Sequence, residues 1–412
     1  MNPAMVNHKP RIAILHYAAP PTIGGVESTL VMQARLFAEH GYPVKIIAGR
    51  GEPFDPRVPV QVLPLLDSRH AFVERVNQQL ANGIATTEFH SLTIAIRRML
   101  ERALAEVDLC IAHNIATLHK NLALTCALHE IALTQRPRVI AWSHDFAWDD
   151  PVYAKEMRAG LPWDLMRQAW QGVRYVVVSE ARRKELATLL GLSESAIAVI
   201  PPGIDALDFL GICATTARWV NDLHLLDAAP LLLLPARVTR RKNIELAIEI
   251  TAALRHWGYS PKLLVMGPLG PHNPANVLYL NELRALQARL NAHEQVIFLQ
   301  EYGPVDDLIR RDLYLLADAL VFPSTREGFG IPILEAGLAR LPIFCTDLPV
   351  FHESAGETVH YFALDDSPAE IAREMADWLA RDARYQLKQR VLREYAWERI
   401  FTERLEPLVL EG

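Results

Sequence analysis

Glu327 and Glu335 frame the string EGFGIPILE (327–335), with seven residues between the two carboxylates. The segment before it, ADALVFPS (317–324), is short and apolar and ends in Pro and Ser, which predicts a buried strand. Pro332 suits the first turn of a following helix. That arrangement puts Glu327 on a loop and Glu335 inside the helix, with unpaired amides of the first turn between them. Such amides attract an anion, and Gly328 and Gly330 let the backbone approach it closely. Phe329 and Ile331 complete this candidate ligand loop. A strand-turn-helix with two solvated glutamates is the alternative reading.

Cations that could meet the same anion occur upstream. The run LLLLPARV (231–238) is continuously apolar, as in a strand buried on both faces. TRRKN follows, then a helical pattern over 243–257 stopped by Gly258. Arg237 and Lys242 flank this strand-to-helix loop, where they could neutralise an anion held by a neighbouring loop; a solvated basic loop is the alternative. An anionic group flanked by hydroxyl-bearing groups, such as a nucleotide sugar, suits two carboxylates, two cations and open amides together.

In the first half, Gly24 and Gly25 follow a strand pattern at 11–18 and precede a helical one at 26–40. The spacing is not G-x-G-x-x-G, which disfavours a nicotinamide dinucleotide. Two further strand patterns, 108–114 and 138–145, end in His113-Asn114 and His144-Asp145, which suggests one cleft edge carrying both pairs. A histidine in such a place is also compatible with a purely structural, hydrogen-bonded role. Downstream, Trp148 beside Asp149 and Asp150 offers a flat ring next to carboxylates, a fit for a sugar's apolar face and hydroxyl edge. Adjacent carboxylates without further ligands make a poor divalent-cation site, so no metal is expected. Trp142, inside a strand, reads as core.

The elements that must position these residues alternate between strand and helix, which predicts parallel sheets covered by helices. At 412 residues the chain suits two domains. We expect a first domain over 1–205, a connection over 206–228, a second domain over 229–390 and a final helix over 391–412 returning to the first. Residues 52–90 read as irregular, and 92–104 as an amphipathic helix facing a core. A net charge of -6, with 42 basic and 48 acidic residues, gives no overall pull toward nucleic acid or anionic lipid. The four cysteines are scattered without C-x-x-C or zinc spacing, as for buried thiols in a reducing compartment. The first residues lack a signal-peptide core, and no stretch reaches the roughly 20 apolar residues of a membrane span. A cytoplasmic location is therefore expected.

The E-x7-E string with its G-F-G core and preceding F-P-S resembles the donor-site signature of retaining GT-B glycosyltransferases, family 4 in particular. The resemblance extends to G-G-V-E (24–27), the R-x4-K pair, the strand-end histidine and aspartate, and IAVIPPGID (197–205), where Pro202 replaces the usual asparagine. It also covers KLLVMGP (262–268) and QVIFLQEYG (295–303), the latter with F-L-Q-E-Y-G for the usual F-L-G. It implies two Rossmann-like doubly wound domains facing across a cleft, without a cofactor and without a metal. The co-substrates would be a UDP- or GDP-linked sugar and a hydroxyl acceptor. The residues that would act are Glu327 on the donor sugar, Glu335 on the ribose, and Gly328 to Ile331 on sugar and diphosphate. Arg237 and Lys242 would hold the diphosphate, joined by the Gly24-Gly25 loop. His144 would meet the donor sugar or acceptor, with His113, Asn114, Asp145, Trp148 and Asp149 on the acceptor side. Members of the family include peripheral membrane proteins, so surface contact with lipid stays open. A phosphorylase or epimerase on the same architecture, or a nucleotide-sugar sensor, would keep the same anion site. His272 and Asn273 lie in a Pro- and Gly-rich loop (268–276) without an assigned role.

Overall fold

The first strand, β1 (Ile12–His16), is wholly buried and pairs in parallel with β2 (Val44–Ala48) on one side and β4 (Leu109–His113) on the other. A computed structural model describes residues 9–22, 24–269 and 275–411; His272 and Asn273 lie outside them. The chain forms two units, Met1–Gly203 with Tyr395–Gly412, and Ile204–Glu394.

In the first unit β3 (Val60–Val62), β5 (Arg138–Ser143), β6 (Val173–Val177) and β7 (Ile197–Val199) complete a parallel sheet of order β3-β2-β1-β4-β5-β6-β7. Its covering helices are α1 (Gly25–Glu39), α2 (Ala71–Ala81), α3 (Thr87–Ala103), α4 (Leu122–Ala132) and α5 (Glu180–Leu190). The expected irregular stretch thus contains a strand and a helix. The face predicted to be apolar, Ile96, Leu100 and Leu104, is buried, Leu104 as the residue that caps α3. Trp142 is core.

The second unit opens with α6 (Ala206–Phe209) and α7 (Ala214–Asp222), so the expected connection over 206–228 is corrected: it is folded into this unit. Trp219, Val220 and Leu225 join its core, and Asp312 accepts the Cys213 amide at 2.8 Å. A second parallel sheet follows, built from β8 (Leu231–Leu234), β9 (Lys262–Val265), β10 (Val296–Phe298), β11 (Ala319–Phe322), β12 (Ile343–Thr346) and β13 (His360–Phe362). Its order is β10-β9-β8-β11-β12-β13. The helices are α8 (Ile244–Leu254), α9 (Ala275–Arg289), α10 (Asp307–Leu316), α11 (Ile331–Leu338), α12 (Pro349–Ala355), α13 (Pro368–Arg381) and α14 (Ala383–Glu394). Both sheets reverse direction beside their first strand, between β1 and β4 and between β8 and β11. Doubly wound sheets open ligand crevices at such switch points.

The last segment, α15 (Trp397–Ile400), a π-helical turn (Phe401–Leu405) and α16 (Glu406–Leu410), packs on the first unit. Phe401 meets Phe37 edge-on at 5.3 Å, and Tyr42 donates to Glu406 at 2.8 Å. Trp397 and Ile400 close over Gly203, where a side chain would collide at 2.8 Å.

Candidate functional site

In the second unit, the loops after β8 and β11 are stitched together. The Thr325 amide and hydroxyl both donate to the Arg241 carbonyl, at 2.8 and 3.2 Å, and Arg241 donates to the Arg326 carbonyl at 3.2 Å. This brings the Lys242 ammonium onto Glu327, with its Nζ also 4.7 Å from the centre of the Phe322 ring. Both side chains are nearly buried. Arg241 approaches the other Glu327 oxygen at 3.1 Å. Burial alone would raise the Glu327 carboxyl, but Lys242 and Arg241 outweigh it and hold it below the usual carboxylate range. Burial pulls Lys242 below its ordinary value.

Of the R-x4-K pair expected to hold an anion, Lys242 lies on Glu327, where it is joined by Arg241, presented by the single 3-10 turn Arg240–Lys242. Arg237 stands exposed just past β8, and among the described residues it makes no ion pair or side-chain hydrogen bond.

Beyond Glu327 the chain turns through Gly330, whose φ of +94° begins α11 and whose missing Cβ would lie 3.0 Å from Phe351. Glycine meets both demands. No side chain caps α11, so its first turn is open. Phe329 and Ile331 are exposed around it, while Gly328 faces open space. Glu335, further along α11, accepts from the Tyr314 hydroxyl at 2.7 Å and lies 3.5 Å from Arg310. Sequence reasoning did not find either partner; both come from α10.

In the first unit the switch point gathers three histidines. His16 ends β1, His113 ends β4 and His144 follows β5. His113 is fully buried, stacks on Trp142 at 5.4 Å, and has Nδ1 3.1 Å from His144 Nε2 and Nε2 3.0 Å from Gln33 Oε1. His16 Nδ1 donates to the His113 carbonyl at 3.1 Å, and its Nε2 lies 3.8 Å from Glu27. Contact with His16 draws the Glu27 carboxyl down. Burial lowers His113 well below the usual imidazole value and His144 to about 4, so both are neutral near pH 7. Asn114, in the left-handed region at φ 58°, accepts the His144 and Asp145 amides at 2.7 and 3.3 Å and fixes the turn. Its amide also donates to Asp145 at 3.4 Å.

Gly24 caps α1 in extended backbone, where a side chain would meet Glu27; Gly25 has open space around it. Trp148 is less available than the sequence suggested. Its indole N–H donates to the Trp163 carbonyl at 3.2 Å, and the Arg167 guanidinium covers its ring at 4.3 Å. Partial burial pushes the exposed Asp149 carboxyl up. Among the described residues no three His, Cys, Asp or Glu side chains form a metal-binding group, and no helix is long and apolar enough to cross a membrane.

Comparison with known proteins gives the family. The family model for Glycosyltransferase Family 4 matches residues 23–206, and that for glycosyl transferases group 1 matches 217–399. A serotype-specific mannosyltransferase of Escherichia coli is 33% identical over 158 residues, 38% of this chain and 18% of its own length. The chain thus matches less than a fifth of that relative. Mannosylglucosylglycerate synthase of Thermotoga maritima is 24% identical over 83% of this chain and 81% of its own. D-inositol 3-phosphate glycosyltransferase of Kineococcus radiotolerans is 30% identical over 41% and 38%. With two Rossmann-like domains, each matched by a family model where its switch-point loops carry these residues, the chain belongs to the group 1, family 4 glycosyltransferases of the GT-B class.

Proposed function

We propose that the protein transfers a hexosyl group from a UDP- or GDP-linked sugar to a hydroxyl acceptor, with retention of anomeric configuration and without a metal ion. The observation that carries this reading is the buried Lys242–Glu327 pair beside the uncapped start of α11, at the switch point between β8 and β11. In the reaction the bond from the anomeric carbon to the diphosphate oxygen breaks and a bond to the acceptor oxygen forms. The acceptor's proton passes to the departing phosphate. Lys242, Arg237 and the open amides after Gly330 stabilise charge growing on the diphosphate; losing one such contact commonly costs about 3 kcal/mol in the transition state. Arg241, which touches the same carboxylate as Lys242, joins that set.

Glu327, kept ionised by its cations, orients sugar hydroxyls and favours positive charge near the anomeric carbon. Glu335 holds the ribose, positioned by Tyr314 and Arg310. The second unit supplies the donor contacts. The first supplies the acceptor side through His144, Asp145 and Asn114, and His144 meets a hydroxyl of the donor sugar or of the acceptor.

The test is a panel of UDP, GDP and ADP with their glucose, mannose and N-acetylglucosamine conjugates, read as a rise in thermal stability and followed by transfer assays with and without EDTA. One nucleotide series should stabilise the protein. Glu327→Ala should then abolish transfer while retaining nucleotide affinity, and EDTA should leave the rate unchanged. The absence of any nucleotide-dependent shift refutes the donor site.

A further inference from the structure

Two buried side chains behind His144 form with it a directed hydrogen-bonded chain. Gln33, in the middle of α1, and His113, at the end of β4, are both fully buried. The Gln33 carbonyl oxygen lies 3.0 Å from His113 Nε2, and His113 Nδ1 lies 3.1 Å from His144 Nε2. A carbonyl oxygen only accepts, so the His113 proton sits on Nε2. A neutral imidazole carries one proton, so His113 Nδ1 is left with its lone pair. His144 must therefore donate to it from Nε2. Its own Nδ1 then carries a lone pair, and among the described residues that atom has no hydrogen-bond partner.

We propose that Gln33 and His113 are positioning residues that lock His144 in the Nε2–H form, so that its Nδ1 meets the substrate only as a hydrogen-bond acceptor. The inference rests on the reading above that His144 acts at the reaction site, and it narrows what His144 can meet. The group opposite Nδ1 must be a donor, a hydroxyl, and neither a phosphate oxygen nor a carbonyl.

The surroundings keep the chain neutral and fixed. The charged groups nearest are Glu27, which faces His16 and not His113, and Asp145, which is 3.8 Å from Arg182. Neither forms a hydrogen bond with the His113 ring. His16 holds the His113 backbone by donating to its carbonyl, and Trp142 stacks on the ring from β5. Burial favours neutral imidazoles at both positions. Fixing one tautomer through the second ring nitrogen is a general way of setting which nitrogen faces the substrate.

The test is nitrogen NMR of the intact protein labelled in its histidines, with the His144 signals assigned by their loss in His144→Asn. The expected result is a protonated Nε2 and an unprotonated Nδ1 on His144. A protonated Nδ1 in the unsubstituted protein means that the Gln33 amide presents its nitrogen to His113, and overturns the proposal. Gln33→Met keeps the volume and removes the acceptor, freeing His113 to take either tautomer. The Nδ1–H form of His144 should then appear, and turnover should fall in proportion to it, an even mixture halving the rate. An unchanged tautomer in Gln33→Met overturns the role of Gln33. A changed tautomer with unchanged turnover upholds the relay and overturns the assignment of His144 to the reaction.

Discussion

Replacing Lys242 by methionine keeps the stem of the side chain and removes the charge from beside Glu327. The two side chains are 8% and 10% exposed, so water cannot take over the lost contact. Removing one partner of a buried ion pair costs about 3 to 5 kcal/mol. Arg241 stays 3.1 Å from the remaining carboxylate and is itself half exposed, so it recovers part of this. The expected loss is about 2 to 3 kcal/mol. For a unit of this size that lowers the unfolding midpoint by roughly 4 to 12 °C. Glu327→Gln removes the opposite charge, and combining it with Lys242→Met leaves two neutral side chains in place of the pair. The double variant should regain much of the loss, with a coupling of about 2 kcal/mol in the cycle. Thermal and urea unfolding of the four proteins measures it.

The pH dependence gives an independent check on the same pair. In the unsubstituted protein Glu327 is held below its usual value, so its contribution is present above the unfolded carboxylate value of about 4.3 and is lost as pH falls through the folded one. Without Lys242, burial meets less opposition and the carboxyl rises. The deficit of Lys242→Met should therefore shrink as pH falls and Glu327 takes up a proton. A deficit of less than about 0.5 kcal/mol, independent of pH, would refute the buried pair as the centre of this site.

Gly330→Ala puts a side chain where φ is +94° and Phe351 is 3.0 Å away, and should destabilise the second unit by about 1 to 3 kcal/mol in urea unfolding. Tyr314→Phe removes one hydrogen bond to Glu335 and should weaken nucleotide binding about fivefold or more by calorimetry, without changing the sugar preference. His144 is pushed down to about 4 by burial, so the unfolded chain takes up a proton first as pH falls below about 6.5. Stability should decline from there toward pH 4, with His113 adding to the decline, and His144→Asn should make it shallower.

Much of the second site was legible because it is local. The run LLLL, the string EGFGIPILE and Pro332 predict a strand, a loop and a helix start from neighbours in sequence. Arg241 was not singled out because only the fold of the 3-10 turn Arg240–Lys242 carries its side chain to Glu327. The histidine relay was half legible. Strand ends delivering His113 and His144 follow from pattern, but Gln33 sits in the middle of α1, and its contact with His113 is made across 80 residues of sequence. α2 was hidden by its cap, since His70 accepts the Phe72 amide where Ser, Thr or Asp is the usual signal. β13 is three residues long at a sheet edge, too short for a period to show. Residues 206–228 read as a connection because α6 is one turn long and α7 buries only a few side chains against the second core.

The return of Tyr395–Gly412 to the first unit sets an order on synthesis. When residue 394 leaves the ribosome the second unit has all of its strands, while the first still lacks Trp397, Ile400, Phe401, Leu405, Leu408 and Val409, which pack with Ile12, Ile14 and Phe37 in one core. The half made first is therefore the half finished last. Until residues 395–412 emerge, the part of that core they cover, including Phe37 of α1, stays open to water and to other nascent chains, and a stop codon shortly before residue 395 would leave it uncovered in every molecule made.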